Sequence, residues 1–317
     1  MKIGIKTGQG GYTYQELSQV WQKADALGFD STWLYDHFIA LGNSEADCLE
    51  AYATLSALAR DTKQIRLGVM VTCTSYRNPA LLAKITSTVD QISAGRLMLG
   101  LGAGWYENEF NSYGYKYLSN VERIEQLRET IQIVRAMWSE ERATFHGKHY
   151  SIDQAINLPK PVQKYPPIWV GITRGTRVMP RVAVRDADGF NSVASVNDLE
   201  LWRQIVGASE KERQKRGRER REVTYSLQAS ILTGTQSDIQ EIANQQASKA
   251  GIPVTDYLES LRKRGALIGT PAEVTDKLSG FIEAGLDYLL MAVVGDKLGW
   301  PLDIIKNDLL PLLPERR

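Results

Sequence analysis

Hydrophobic positions along this chain alternate between two spacings. Short apolar or alternating runs cover residues 3–6, 32–35, 65–71, 96–101, 168–171, 189–191, 222–233 and 286–294, and they predict strands. Between them the apolar residues recur at helical spacing. Helices are predicted over 14–27, 48–60, 79–93, 121–138, a short piece ending at Ala187, 198–216, 237–249, part of 252–265, 270–284 and 302–312. Ile124, Leu127, Ile131, Val134 and Trp138 mark one such stripe. Gly28 stops the first helix, Pro79 opens another, and Thr270 caps a third with Pro271 behind it.

About eight β units result, each followed by a helix. Strands alternating with helices pair in parallel through right-handed crossovers. Eight such units favour a closed α/β barrel, the (β/α)8 or TIM barrel, over an open doubly wound sheet. The expectation is one barrel domain over 1–317, with insertions near 105–120, 139–167 and 250–268. The FHGKHYSI stretch within the second insertion suggests a small hairpin outside the barrel. A barrel of this kind keeps its chemistry at the carboxyl ends of its strands, so those positions are the ones to weigh.

Composition narrows the classes. Lys plus Arg number 38 against 37 for Asp plus Glu, so no global field attracts nucleic acid or a membrane surface. Two cysteines make no disulfide framework, and the chain opens on a strand-like KIGIK without a signal peptide; a cytoplasmic protein is expected. The longest apolar stretch, 288–294, is far too short to span a bilayer.

Five strand ends and loops carry candidate chemistry. Asp36 and His37 follow the second strand, where an imidazole can hydrogen-bond a bound ring or move a proton near neutral pH. After the third strand, Val71, Thr72, Cys73 and Thr74 form a small polar shelf able to support a planar ring; Cys73 lacks a visible base and is not read as a nucleophile. The fourth strand ends in Gly100, Gly102 and Gly104, followed by Trp105. Glycine lets a flat ligand approach the main chain. That run is not a dinucleotide fingerprint, because its last glycines are one residue apart and a loop is expected to follow. Glu107 and Glu109 behind it are candidate proton donor and ring anchor. Gly171, Thr173, Arg174, Gly175, Thr176 and Arg177 follow the fifth strand, and exposed amides with guanidinium groups suit a phosphate. His146 and His149 sit on the hairpin without an acid cluster, so no metal site is expected, and the basic run 211–221 reads as a solvated helix end.

Taken in order, WLYDHF (33–38), the long block 50–115, RIEQLRETIQIVRAMW (123–138), PKPVQKYPPIWVG (159–171), ADGFN (187–191) and GTPAEVTDKLSGFIEAGLDYL (269–289) resemble the bacterial luciferase-like monooxygenase superfamily. The similarity is nearest to its branch dependent on the 8-hydroxy-5-deazaflavin, coenzyme F420. The resemblance implies a (β/α)8 barrel with insertions, the cofactor ring at the carboxyl mouth, and commonly a homodimer. It implies that Asp36 and His37 face the ring, that a cis-peptide bulge near Met70 to Cys73 buttresses it, and that the phosphate lies at Thr173 to Arg177. Two departures stand out. Relatives carry a paired glycine after the fifth strand, where this chain has Gly171-Ile172-Thr173-Arg174-Gly175. The sugar-phosphate dehydrogenases of the branch place a glutamate proton donor where this chain has Trp105, which puts that reaction in doubt and leaves Glu109 as a weak substitute.

The leading expectation is therefore an oxidoreductase moving a hydride between a deazaflavin and a small organic substrate, with His37 at the reacting centre and Asp36 and Glu109 beside it. Val71, Thr72, Cys73, Gly104 and Trp105 would hold the ring, and Gly171, Thr173, Arg174, Gly175, Thr176 and Arg177 the phosphate. The alternatives are an FMN-dependent monooxygenase using oxygen with a separate flavin reductase as partner, and a non-catalytic flavin-binding protein. A metal-dependent hydrolase would need several histidines and acids at strand ends, and His37 stands alone there.

Overall fold

The computed structural model describes residues 1–173, 175–193, 198–293 and 301–314. Its strands are β1 (Lys2–Lys6), β2 (Ser31–Leu34), β3 (Arg66–Cys73), β4 (Leu97–Gly102), β5 (Ala143–His146), β6 (Ser151–Ala155), β7 (Ile168–Ile172), β8 (Gly189–Ser192), β9 (Thr224–Thr233), β10 (Leu267–Gly269) and β11 (Tyr288–Val293). Eight of them close a parallel barrel in the order β1-β2-β3-β4-β7-β8-β9-β11 and back to β1; β10 pairs with the last residues of β9, Ile231–Thr233, beyond the stretch that pairs with β8. Each barrel strand lies on an expected strand segment. The short β10 escaped sequence reading because three residues carry too little periodicity. β5 and β6 form the antiparallel hairpin expected outside the barrel.

The main helices are α1 (Tyr14–Ala26), α2 (Ala51–Asp61), α3 (Pro79–Ile92), α4 (Glu107–Ser112), α5 (Asn120–Ser139), α6 (Met179–Asp186), α7 (Leu199–Lys215), α8 (Gln236–Ala250), α9 (Val254–Lys263), α10 (Pro271–Glu283) and α11 (Pro301–Ile304). Capping fixes several starts: Ser119 and Glu122 reciprocate at α5, and Thr270 and Glu273 at α10. Between barrel and helices runs a large apolar layer, including Leu17, Leu55, Leu127, Ile131 and Trp202. Where the sequence predicts a loop after Gly104, the chain forms α4, which starts three residues on.

A second, smaller core lies inside the barrel, made of Trp33, Met70, Met98, Trp169, Tyr288 and Leu290. Trp33 stacks on Trp169 at 5.7 Å, and Trp169 meets Tyr288 edge-on at 5.0 Å. The indole of Trp33 and the hydroxyl of Tyr288 both donate to Ser31 Oγ. Gly4 and Gly68 leave the space: a Cβ on Gly68 would lie 2.5 Å from the Trp33 ring. This plug closes the barrel from below and leaves its carboxyl end open. Among the described residues no helix is long and apolar enough to cross a membrane.

Candidate active site

Above the plug, the carboxyl ends of the strands enclose a cavity of about 650 Å³. That is the size of a pocket for a large cofactor or drug-like ligand. Asp36 and His37 reach it from beyond β2, Val71 and Cys73 from β3, Gly104 and Trp105 from beyond β4, and Gly171, Thr173 and Gly175 from β7 and its loop. The ends of the second, third and fourth barrel strands thus converge on one open space.

The third strand is irregular where it meets this space. The Met70–Val71 peptide is cis, and the register against β4 shifts between Val69 and Thr72. The glycines of β4 make the irregularity fit. A Cβ on Gly100 would lie 2.4 Å from the Val69 carbonyl oxygen, and one on Gly102 would lie 2.5 Å from Val71 Cγ2. Gly104 has φ +78°, and its Cβ would meet Cys73 Sγ and the Phe110 ring, both at 2.8 Å. Gly100 and Gly102 are therefore required by the neighbouring strand, and Gly102 and Gly104 also line the cavity. Both the bulge of β3, at Met70, Val71 and Cys73, and the end of β4, at Gly102, Ala103 and Gly104, line the cavity.

A brace holds that bulge. The Asp36 carboxylate accepts from the Cys73 amide at 2.9 Å and pairs with Arg77 at 2.6 Å. Arg77 also pairs with Glu50 and lies over the Tyr52 ring, while the Tyr52 hydroxyl contacts Thr72 Oγ1 at 2.7 Å. Burial pushes the Asp36 carboxyl up, opposed by the Arg77 guanidinium and the Cys73 amide. Thr72 is fully buried and turned to Tyr52, not to the cavity. Burial also pushes the Cys73 thiol up to about 12, which removes the thiolate a nucleophile needs.

His37 has a different support. Its Nδ1 lies 2.8 Å from Glu109 Oε2, and that oxygen also accepts from the Tyr76 hydroxyl at 2.8 Å. Glu109 Oε1 accepts the amides of Phe38 and Ile39. The carboxylate is buried on α4, and burial alone would raise its pKa, but hydrogen bonds from His37, Tyr76 and Phe38 and the charge of His37 hold it below the ordinary glutamate value. A carboxylate only accepts, so Nδ1 carries the proton and Nε2 is left for the cavity. The ring is flanked edge-on by Tyr35, Trp105 and Tyr106. Glu109 is thus engaged with His37 and is not itself among the residues lining the cavity.

The proposed phosphate loop divides. Thr173 and Gly175 line the cavity, whereas Thr176 and Arg177 line a separate depression against α7, with Arg181 and Arg203. Arg174 lies outside the described residues. The guanidinium that does line the cavity is Arg123 on α5. It is buried, sits 4.0 Å over the Tyr117 ring and donates to Leu118 O and Asn120. It has no carboxylate partner among the described residues, and its Nε is unpartnered. In the sequence Arg123 precedes a stripe of five apolar positions, Ile124, Leu127, Ile131, Val134 and Trp138, which predicts only a core-packing helix. The burial of Arg123 comes from residues remote in the chain and leaves no signal in the local sequence. Lys6, Tyr76, Asn191 and Gln228 also line the cavity, and no motif in the sequence marks them. On the hairpin His149 contacts Glu125 and His146 contacts Ser151, each a separate local bond.

Comparison with known proteins agrees over nearly the whole length. The model of the luciferase-like monooxygenase family matches residues 1–288. An F420-dependent glucose-6-phosphate dehydrogenase of Kineococcus radiotolerans is 26% identical, the alignment covering 99% of this chain and 97% of the relative. One from Segniliparus rotundus is 29% identical, covering 99% and 98%. An F420-dependent secondary alcohol dehydrogenase, solved with an F420–acetone adduct, superposes with a TM-score of 0.81 at 21% identity over 99% of both chains. The oxygenating constituent of 3,6-diketocamphane monooxygenase from Pseudomonas putida, solved with FMN, gives 0.74 at 22%, again over 99% of both. The two solved structures share this fold and differ in cofactor.

Proposed function

This chain belongs to the luciferase-like monooxygenase family, and from that premise we propose that it is an oxidoreductase transferring a hydride between deazaflavin coenzyme F420 and a small organic substrate. The observation that carries the reading is the braced β3 bulge opening on a 650 Å³ cavity, with His37 held at its edge by Glu109. The F420-dependent relatives aligned over their full length favour the deazaflavin over FMN.

The residues present suit such a group. Val71 and Cys73 offer a surface for a flat ring, with Trp105 as an outer wall; Gly171 gives Val71 room. Thr173, Gly175 and Arg123 suit the phosphate, Arg123 supplying the unpaired cation. When bound, the deazaflavin supplies a two-electron hydride donor or acceptor, and the barrel supplies binding and orientation. His37 presents Nε2 to the substrate oxygen, accepting its proton in oxidation or returning one in reduction. Glu109 keeps the ring in that orientation and stabilises the imidazolium between the two events. Asp36 acts by positioning, tying the end of β2 to the bulge. The resemblance implies that Trp105 stands where the sugar-phosphate dehydrogenases carry their glutamate donor, so the proposal does not extend to glucose 6-phosphate.

The test is direct binding. Oxidised F420 and FMN are titrated separately into purified protein, and the fluorescence change is followed. F420 is expected to bind at least tenfold more tightly. Arg123→Leu should weaken F420 more than its phosphate-free ring analogue, and Arg177→Ala should weaken neither. Preferential binding of FMN, or no binding of either, rejects the reading.

A further inference from the structure

The floor of the cavity carries a cation that the reaction above leaves unused. Lys6 ends β1. Gly4, two residues earlier, faces the plug, where a Cβ would meet Leu290 and Trp33. Side chains two apart on a strand share a face, so Lys6 points into the barrel one layer above the plug, and it lines the cavity. Its Nζ donates to Gln228 Oε1 at 2.8 Å. Among the described residues it has no carboxylate partner. β9, which carries Gln228, is diametrically opposite β3 in the barrel order. The Lys6–Gln228 pair therefore faces the space across from the bulge, on the side a ring lying on β3 leaves free.

The pair has a definite chemical preference. An ammonium has three donors and no acceptor, so its bond to Gln228 fixes which end of that amide points to it. The Gln228 carbonyl is consumed and its NH2 remains. On the neighbouring strand, Asn191 lines the same floor, and its Oδ1 already accepts from Ser226. The floor thus offers an ammonium and the NH2 of Gln228, while the Gln228 and Asn191 carbonyls each already accept a bond. The one acidic residue lining the cavity, Asp36, is tied to Arg77. Burial pushes the Lys6 amine down to about 8, so it is still mostly charged at neutral pH and carries that charge with only a neutral partner. Such an arrangement costs native stability and is retained where a ligand supplies the counter-charge.

We propose that Lys6 and Gln228 form the substrate-recognition point of this cavity and select small organic molecules bearing a carboxylate. A planar two-oxygen anion matches one ammonium and one amide donor side by side; a phosphate group, with three acceptor oxygens and up to two charges, needs more donors than this floor holds. The proposal rests on reading the cavity as the reaction site and adds the substrate class to it.

Benzoate and its neutral counterpart benzamide serve as probes, with affinities measured by calorimetry on the protein with and without bound F420. The wild type is expected to prefer benzoate at least tenfold near neutral pH. The preference should fall as pH rises through the range where Lys6 loses its proton. In Lys6→Met it should vanish, while the midpoint of thermal unfolding rises because an uncompensated charge has gone. Lys6→Gln provides a second neutral variant, and Lys6→Arg should keep part of the preference. Equal affinity for the two probes in the wild type, no binding of benzoate, or an unchanged preference in Lys6→Met overturns the proposal. Cofactor binding is read separately. Protein that selects benzoate yet ignores F420 refutes the hydride-transfer reading alone, and the converse refutes only the carboxylate site.

Discussion

At the scale of single residues, the site is defined by which polar atoms are already spoken for. Asp36, Glu109 and Thr72 are engaged by protein partners, whereas His37 Nε2, Arg123 and Lys6 have donor or acceptor capacity free for a ligand. This divides candidates that look equivalent in sequence. Removing His37 as His37→Ala should leave F420 affinity within about tenfold, or ~1.4 kcal/mol, and reduce turnover by about a hundredfold or more. Glu109→Gln should give a similar fall in kcat with little change in KM, because the imidazole loses its orienting acceptor. Unchanged turnover in both would remove the pair from the mechanism. The same carboxylate has a stability signature. Its folded pKa lies below the unfolded value, so its contribution is present above the ordinary glutamate pKa of about 4.3 and is lost as pH falls through the lower folded value. Urea unfolding of wild type and Glu109→Gln should therefore diverge most near neutral pH and converge in acid. A constant gap across that range would show that the effect is packing alone.

At the scale of elements, the third and fourth barrel strands are one device. The register bulge of β3 needs β4 to be glycine at 100 and 102, and the obstruction differs between the two positions. A Cβ at Gly100 meets a backbone carbonyl, which cannot move without breaking the β3–β4 ladder; a Cβ at Gly102 meets the end of a valine side chain. Gly100→Ala should thus destabilise more than Gly102→Ala, by roughly 1–3 kcal/mol as an overpacked core position. Gly102→Ala should instead weaken F420 binding through the shifted Val71. Chemical denaturation and fluorescence titration separate these outcomes, and a reversed order would mean that the glycines serve a ligand rather than the neighbouring strand. This pairing also marks the limit of sequence reading. The eight strands were legible because each carries its own periodicity, and His37 because it stands alone at a strand end. The brace from Asp36 through Arg77, the dyad with Glu109 seventy-two positions along, and the burial of Arg123 depend on residues remote in the chain. The outward direction of Arg177 depends on where α6 begins. None of these leaves a local pattern.

At the scale of the whole molecule, the open mouth depends on the closed bottom. A barrel of eight parallel strands encloses a lumen that side chains must fill, and here the filling is uneven: six large residues below, a cavity above. Trp33 is the keystone of the lower half. It is fully buried, stacked on Trp169, bonded to Ser31, and accommodated by glycines on two neighbouring strands. Trp33→Ala should cost about 3–5 kcal/mol, the usual range for deleting a large buried aromatic. Its consequence should reach the site, since Met70 belongs to the plug and also lines the cavity above it. The variant is therefore expected to bind F420 more weakly even under conditions where it is fully folded. A filling substitution, Trp33→Phe, should recover most of the affinity together with most of the stability. If Trp33→Ala lowers the urea midpoint yet leaves F420 affinity intact, plug and mouth are energetically independent, and the bulge is held by the Asp36–Arg77 brace alone.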